Sequence, residues 1–190
     1  MLTLLEKLKD DPELYVRRSV ANNLNDIGKD HPAVLVTVSR RWLKNASEER
    51  RWLIGHALRS AVKRGEAEAL KVLGFGKTAG VIVRKVRIAP KRASLGNSVT
   101  ISFEVANTSA RRQSVLVDCR IHFRKANGGT SPKVFKMKTL DLDGNRSEFL
   151  SKRISLAEMT TRTHYPGRHA VDLQLNGRVT PLGAFELAGA

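Results

Sequence analysis

The chain is sparing with cysteine, with acid and with long apolar runs, and each scarcity excludes something. A single cysteine, Cys119, stands in 190 residues. A lone thiol rules out an internal disulfide or a cysteine zinc cluster and points to a cytosolic chain. No apolar run approaches the roughly 20 residues of a membrane-spanning helix. The start, MLTLLEKLKD, turns acidic at position 6 and is no signal peptide. The sequence contains no Gly-rich phosphate loop, no HExxH, no paired Cys/His ligands and no Ser-His-Asp arrangement, so neither a metal nor a cofactor is expected. Acid is scarce beside base: 18 Asp/Glu face 34 Lys/Arg, a net charge of +16. Such a surface attracts polyanions, nucleic acid first and anionic membrane second; the plain alternative is charge that serves only solubility.

What is present falls into two grammars. From Leu2 to about Phe75 apolar residues recur at helical spacing. Leu2, Leu5 and Leu8 make a first stripe, stopped by Asp10-Asp11-Pro12. Val16, Val20, Leu24 and Ile27 make a second, ending near Gly28 as a C-terminal cap. Leu35, Val38 and Trp42 continue after His31-Pro32. Asn45 or Ser47 caps a further helix carrying Leu53, Ala57 and Ala61, and GEAEALKVLGF supplies a short last one between Gly65 and Gly74. Helical hairpins this small bury their stripes by stacking as repeats.

After Gly80 the period drops to two. VIVRKVRI, SVTISFEVAN, SVLVDCRIHFRK, KVFKMKTLDL, RSEFLSKRISL, GRHAVDLQLNG and AFEL are separated by turn chemistry such as Asn127-Gly128-Gly129 and Asn176-Gly177. The expected architecture is multidomain α plus β: HEAT-like helical repeats over 1–75, a linker over 76–80, and an immunoglobulin-like β-sandwich over 81–190, with Tyr165 where a tyrosine corner would sit. Residues 1–75 hold 14 Lys/Arg against 10 Asp/Glu, and residues 76–190 hold 20 against 8. The sandwich therefore carries +12 of the +16. The pairs Arg111-Arg112 and Lys152-Arg153, taken as Arg-rich loops, exceed what edge protection needs and suit a DNA backbone.

The second helical stripe, YVRRSVANNLNDIGKDHP, bears unusual polar residues between its apolar ones. Arg17, Arg18, Asn22, Asn23, Asn25 and Asp26 crowd ten positions, although Asn and Asp are indifferent helix formers. Such a face meets something. Arg17, Arg18 and Lys29 suit phosphate, as do Arg50, Arg51 and Arg59, which the spacing i, i+1, i+9 sets near one helical face; the alternative is a solvated basic surface. Asn22 and Asn23 either reach the DNA or fill an inner turn. From spacing alone Asp26 either serves chemistry or bonds Asn22 or pairs with Arg18. Trp42 and Trp52 are expected between helices, and His56 as a hydrogen-bonded structural residue.

This stretch, followed by RRWLIGHALRSAVKRGEAEALKVLGF, resembles the HEAT-like-repeat DNA alkylation repair glycosylases of the AlkC branch, which carry a C-terminal immunoglobulin-like domain. The resemblance covers the whole chain and is most specific over 15–74. It implies release of cationic alkylated bases, 3-methyladenine and 3-methylcytosine, from duplex DNA without base flipping, by a monomer associated with the nucleoid. Asp26 matches the family's acidic position and would be the catalytic carboxylate. The resemblance also implies further helical repeats ahead of the region seen here. Two rival readings remain: a non-catalytic DNA clamp, and a protein-interaction scaffold.

Overall fold

A computed structural model describes residues 1–158 and 163–189. The chain divides into two compact units, Met1–Gly76 and Lys77–Ala190, each described here by itself.

The first unit is helical: α1 (Leu2–Leu8), α2 (Leu14–Asp30), α3 (Pro32–Leu43), α4 (Glu48–Arg64) and α5 (Ala67–Val72). Alternate helices form two layers. Asn22 of α2 meets His56 and Arg59 of α4, and Asn25 meets Ser60; the numbers rise together, so α2 and α4 lie side by side and parallel. Behind them Glu6 of α1 accepts from Trp42 of α3 at 2.7 Å and from Arg41, and Arg40 of α3 pairs with Glu68 of α5 at 2.5 Å. Between the layers lie Val20, Leu24, Leu35, Trp42, Leu53, Ile54, Ala57 and Leu58, all nearly inaccessible.

Two local expectations are corrected. Gly28 does not cap α2, which runs on to Asp30. It is buried inside the helix, and a Cβ built on it would stand 2.3 Å from Leu35 Cδ2; the missing side chain lets α3 pack close. At α4 the cap is Ser47, whose hydroxyl accepts from the Arg50 amide at 3.2 Å, while Asn45 sits in the turn at φ 52°. Gly65 closes α4 in the left-handed conformation, at φ 81°, as its sequence position predicts.

The second unit contains eight strands among the described residues: β1 (Val81–Ala89), β2 (Arg92–Ala93), β3 (Ser98–Asn107), β4 (Gln113–Arg124), β5 (Thr130–Leu142), β6 (Ser147–Ser155), β7 (Gly167–Leu175) and β8 (Arg178–Leu187). They form a three-stranded sheet, β1-β3-β6, and a five-stranded sheet, β2-β8-β7-β4-β5. All pairs are antiparallel except β2 with β8. All seven period-two segments are strands; only β2, two residues long, had no sequence pattern to announce it. Alternate residues Val99, Ile101, Phe103 and Val105 of β3 face Val115, Val117, Cys119 and Ile121 of β4 across one dry core. Packing thus does what a disulfide would do elsewhere. Burial pushes the Cys119 thiol up to about 12, so it is inert at neutral pH. Pro132 is tolerated within β5 because that strand is an edge. Tyr165 is half-buried, and its carbonyl lies 3.1 Å from His169 Nε2.

Candidate nucleic-acid interface

The amphipathic period of α2 buries Val20, Leu24 and Asn25 and turns Arg18, Asn22 and Asp26 outward at intervals of four. Asn25 is the exception among the amides. It is 3% exposed, and its Oδ1 takes the Ser60 amide at 3.4 Å, so it belongs to the α2–α4 seam and not to the polar face.

Asn22 organises that face. Its Oδ1 accepts from Arg59 Nη2 at 3.0 Å and lies 3.2 Å from His56 Nε2. Arg59 is steadied further by the His56 carbonyl, 2.6 Å from Nη1. Burial, then the charges of Arg59 and Arg18, push the His56 pKa below its ordinary value, so the ring is neutral at pH 7. Asp26 stands one turn along, exposed, with Lys29 Nζ at 2.7 Å. The Lys29 ammonium, aided by Asn25 and Arg59, holds its carboxyl below the usual carboxylate range. It is fully ionised at neutral pH. The face therefore combines one carboxylate, one neutral imidazole and three cations: Arg18, Lys29 and Arg59.

Other predicted residues lie elsewhere. Arg50 and Arg59 do not share a face, because nine residues at about 100° each bring the second to the opposite side of α4. Arg50 grips Asp10 through two bonds of 2.6 Å, tying the α1–α2 turn to the start of α4. Arg17 donates to the carbonyls of Asp11 and Pro12, at 2.6 and 2.7 Å. Arg17 lines a polar cleft with Lys9, Asp10, Asp11, Pro12, Ser47 and Glu49. Arg51 reaches the Ala46 carbonyl at 3.2 Å. Asn23 turns back on its own helix, donating to Ser19 O at 2.9 Å. Trp42 is buried as expected, but Trp52 is 40% exposed and stacks on His56, the centroids 5.2 Å apart. Tyr15, 78% exposed and seven residues before Asn22, continues the same helical face. Its place one and two turns before Arg18 and Asn22 was the available clue.

On the sandwich, Arg111 is exposed, and Arg112 pairs with Asp141 at 3.3 Å and more loosely with Asp143 at 3.8 Å. Lys152 and Arg153 lie in strand β6, not in a loop. The strand's alternation sends them to opposite faces. Lys152 leans to the edge, its ammonium on the Lys136 carbonyl at 2.7 Å. Arg153 stands outward and meets Ser98 Oγ at 2.6 Å. The same outer face carries Glu104, which binds Arg84, Lys85 and Ser147. The Arg84 guanidinium first, then the Ser147 hydroxyl and Lys85, hold its carboxyl down to about 2. That acid is spent on neighbours, and it cancels part of the positive charge of Arg84 and Lys85.

These observations define a class: a helical unit with a polar, largely cationic face, followed by a basic immunoglobulin-like sandwich. The family model described as "Uncharacterised protein YhaZ, C-terminal Ig-like domain" matches residues 82–189, and the chain belongs to the YhaZ family. Protein YhaZ of Bacillus subtilis (strain 168) is 37% identical over 179 residues, 94% of this chain and 49% of that protein. The alkylpurine DNA glycosylase AlkC of Pseudomonas fluorescens, solved bound to DNA containing an abasic site analog, matches 99% of this chain and 52% of its own. The TM-score is 0.93 and the identity 37%. The resemblance to the AlkC branch read from the helical stretch is thereby borne out. A β-glucosidase of Listeria innocua matches 61% of the chain at 15% identity and a TM-score of 0.50, a likeness of fold alone. The chain spans about half the length of the two 37%-identical relatives.

Proposed function

We propose that the protein serves DNA alkylation repair as an N-glycosylase, releasing cationic bases such as 3-methyladenine and 3-methylcytosine from duplex DNA without flipping them. The observation that carries this reading is the match over 99% of the chain, at 37% identity, to a DNA glycosylase solved on DNA. The parallel pair α2 and α4, backed by α1, α3 and α5, supports a reading as stacked HEAT-like hairpins, in which its polar layer lines the groove.

The chemistry asks little of the protein. An N-alkylated base already carries positive charge, so the bond from its nitrogen to the anomeric carbon breaks with the electron pair leaving on the base, which departs neutral. The sugar is left as an oxocarbenium ion. Asp26, ionised and exposed, stabilises that cation and accepts the proton of the water that adds to the anomeric carbon. Arg18, Lys29 and Arg59 hold flanking phosphates; Lys29 then trades its bond with Asp26 for one with phosphate, leaving the carboxylate to face the sugar. Arg51, Arg111 and Arg153 extend the backbone grip. Arg17, Arg50, Arg112 and Lys152 contribute through the field, since their strongest bonds are already made within the protein. The protein works as a monomer in the bacterial cytosol, on duplex DNA and without a cofactor.

A second reading, a DNA clamp without chemistry, is favoured by the existing Asp26–Lys29 pair. One experiment separates them: duplex DNA methylated with a radiolabelled methyl donor is incubated with the protein, and freed bases are resolved by chromatography. Release of 3-methyladenine above the spontaneous rate supports the glycosylase. Tight binding with no release supports the clamp.

A further inference from the structure

The arginines of the helical unit are held in different ways. Arg40 and Arg50 lie against carboxylates, those of Glu68 and Asp10, and each such pair cancels the charge that it fixes. Arg17 and Arg51 rest on carbonyls close to them in sequence. Arg59 is held from a neighbouring helix: Nη2 donates to Asn22 Oδ1 at 3.0 Å, and Nη1 donates to the His56 carbonyl at 2.6 Å. Both acceptors are neutral. So is the His56 ring, whose Nε2 lies 3.2 Å from the same amide oxygen and whose pKa is pushed down by burial, then by the charges of Arg59 and Arg18. The Arg59 side chain is exposed, and these two bonds leave three of its five N–H donors. It is fixed in place with its charge intact.

The three asparagines of α2 meet three different ends. Asn23 turns back to Ser19 of its own helix, and Asn25 is buried against Ser60. Asn22 alone of the three supplies an acceptor to a cation. We propose that Asn22 is a positioning residue that aims Arg59 at a DNA phosphate, and that it is an amide because a neutral acceptor fixes a guanidinium without cancelling its charge. The proposal rests on the DNA reading and gives Asn22 a role through Arg59 in place of a bond to the DNA itself. A carboxylate at this position would grip the guanidinium harder and neutralise it. An aliphatic side chain would leave the charge but free the arginine, which binding would then have to order.

The test is a double-substitution cycle on an unmodified duplex, read by anisotropy across a salt series. Asn22→Ala should weaken binding by roughly two- to tenfold, the range for ordering one long side chain on association, and should keep the salt slope. In an Arg59→Gln background the same substitution should cost nothing further. Asn22→Asp should flatten the slope of log K against log salt by about 1, as Arg59→Gln does, because one phosphate contact is lost. Alanine is the better helix former, so the helical unit should fold, and melting by circular dichroism checks it. Additive losses in Asn22→Ala and Arg59→Gln overturn the proposal, since Asn22 would then bond the DNA directly. So does an Asn22→Ala protein that binds like the wild type. Should the alanine variant misfold, the slope decides alone: an Asn22→Asp protein as salt-sensitive as the wild type overturns the proposal. A wild-type protein that binds no duplex removes the DNA reading and the proposal together, whereas additivity removes the proposal alone.

Discussion

Replacing Asp26 by Asn separates chemistry from scaffolding. The substitution keeps the shape of the side chain and removes its charge. The carboxylate is 63% exposed, and its ion-pair partner is Lys29, three residues along the same helix and 56% exposed. An exposed pair of this kind contributes little that can be measured, so the thermal midpoint should hardly move. DNA affinity should hold or rise, because a negative charge leaves a phosphate-binding face and Lys29 is released. Excision of 3-methyladenine should fall by roughly a hundredfold or more, the usual scale for losing a general base or a transition-state charge partner. The acid limb offers a second check. The competent form of Asp26 is the carboxylate, and Lys29 holds its pKa below the ordinary 3.8. Wild-type excision should therefore be flat through neutral pH and fall only as pH drops through that lowered value. Lys29→Gln should move the limb upward, toward the ordinary range. Single-turnover base release, affinity by anisotropy and melting by circular dichroism supply the three readouts. An Asp26→Asn protein that melts several degrees lower, yet excises normally per folded molecule, would refute the reasoning and make the carboxylate a packing group.

Duplex affinity should depend steeply on salt: with about six phosphates neutralised, log K falls against log salt with a slope near −5, and a slope near zero would sink the DNA reading. Glutamate at both Arg111 and Arg153 should weaken binding similarly for any duplex sequence, whereas glutamine at Arg50 should cost mainly helical stability by breaking its bonds to Asp10; a reversed pattern in a melting-and-binding comparison would contradict the assignment. Glu104 has a depressed folded pKa of about 2 against an ordinary 4.5, so its stabilisation of the sandwich is present above pH 4.5 and lost as pH falls toward 2. Acid titration followed by circular dichroism should show Glu104→Gln less stable at neutral pH, with the gap closing near pH 2. Gly28→Ala gains about 1 kcal/mol of helix propensity but drives a methyl into Leu35, an overpacking that costs about 1–3 kcal/mol. A helical unit melting a few degrees lower is expected, and a higher midpoint would show that α3 yields freely.

The sequence alone settled what depends on period and turn chemistry. Seven strands were legible because alternation along SVTISFEVAN or SVLVDCRIHF leaves one face apolar, and a sheet can bury only one arrangement of it. The helical stripes, the Gly65 cap and the excess of cations on the sandwich were legible for the same local reasons. The resemblance carried by YVRRSVANNLNDIGKDHP pointed to the family before any geometry was available. Only the tertiary structure decided which polar residues stand together. Arg50 and Arg59, expected near one face, stand on opposite sides of α4 because nine residues make about two and a half turns; what only the fold decided is their partners, Asp10 for Arg50 and Asn22 for Arg59. Asn25 reads like its neighbours Asn22 and Asn23 but is buried against Ser60, because α4 lies alongside α2 on that side. Gly28 reads as a helix stop, and Leu35 of the next helix makes it a packing contact. Trp52, apolar enough to be expected inside, stays at the surface because Leu53 and Ile54 take the interior positions of α4 and leave it the side facing His56. The partners of these residues depend on which chain segment arrives from a distance, and local pattern holds no information about that.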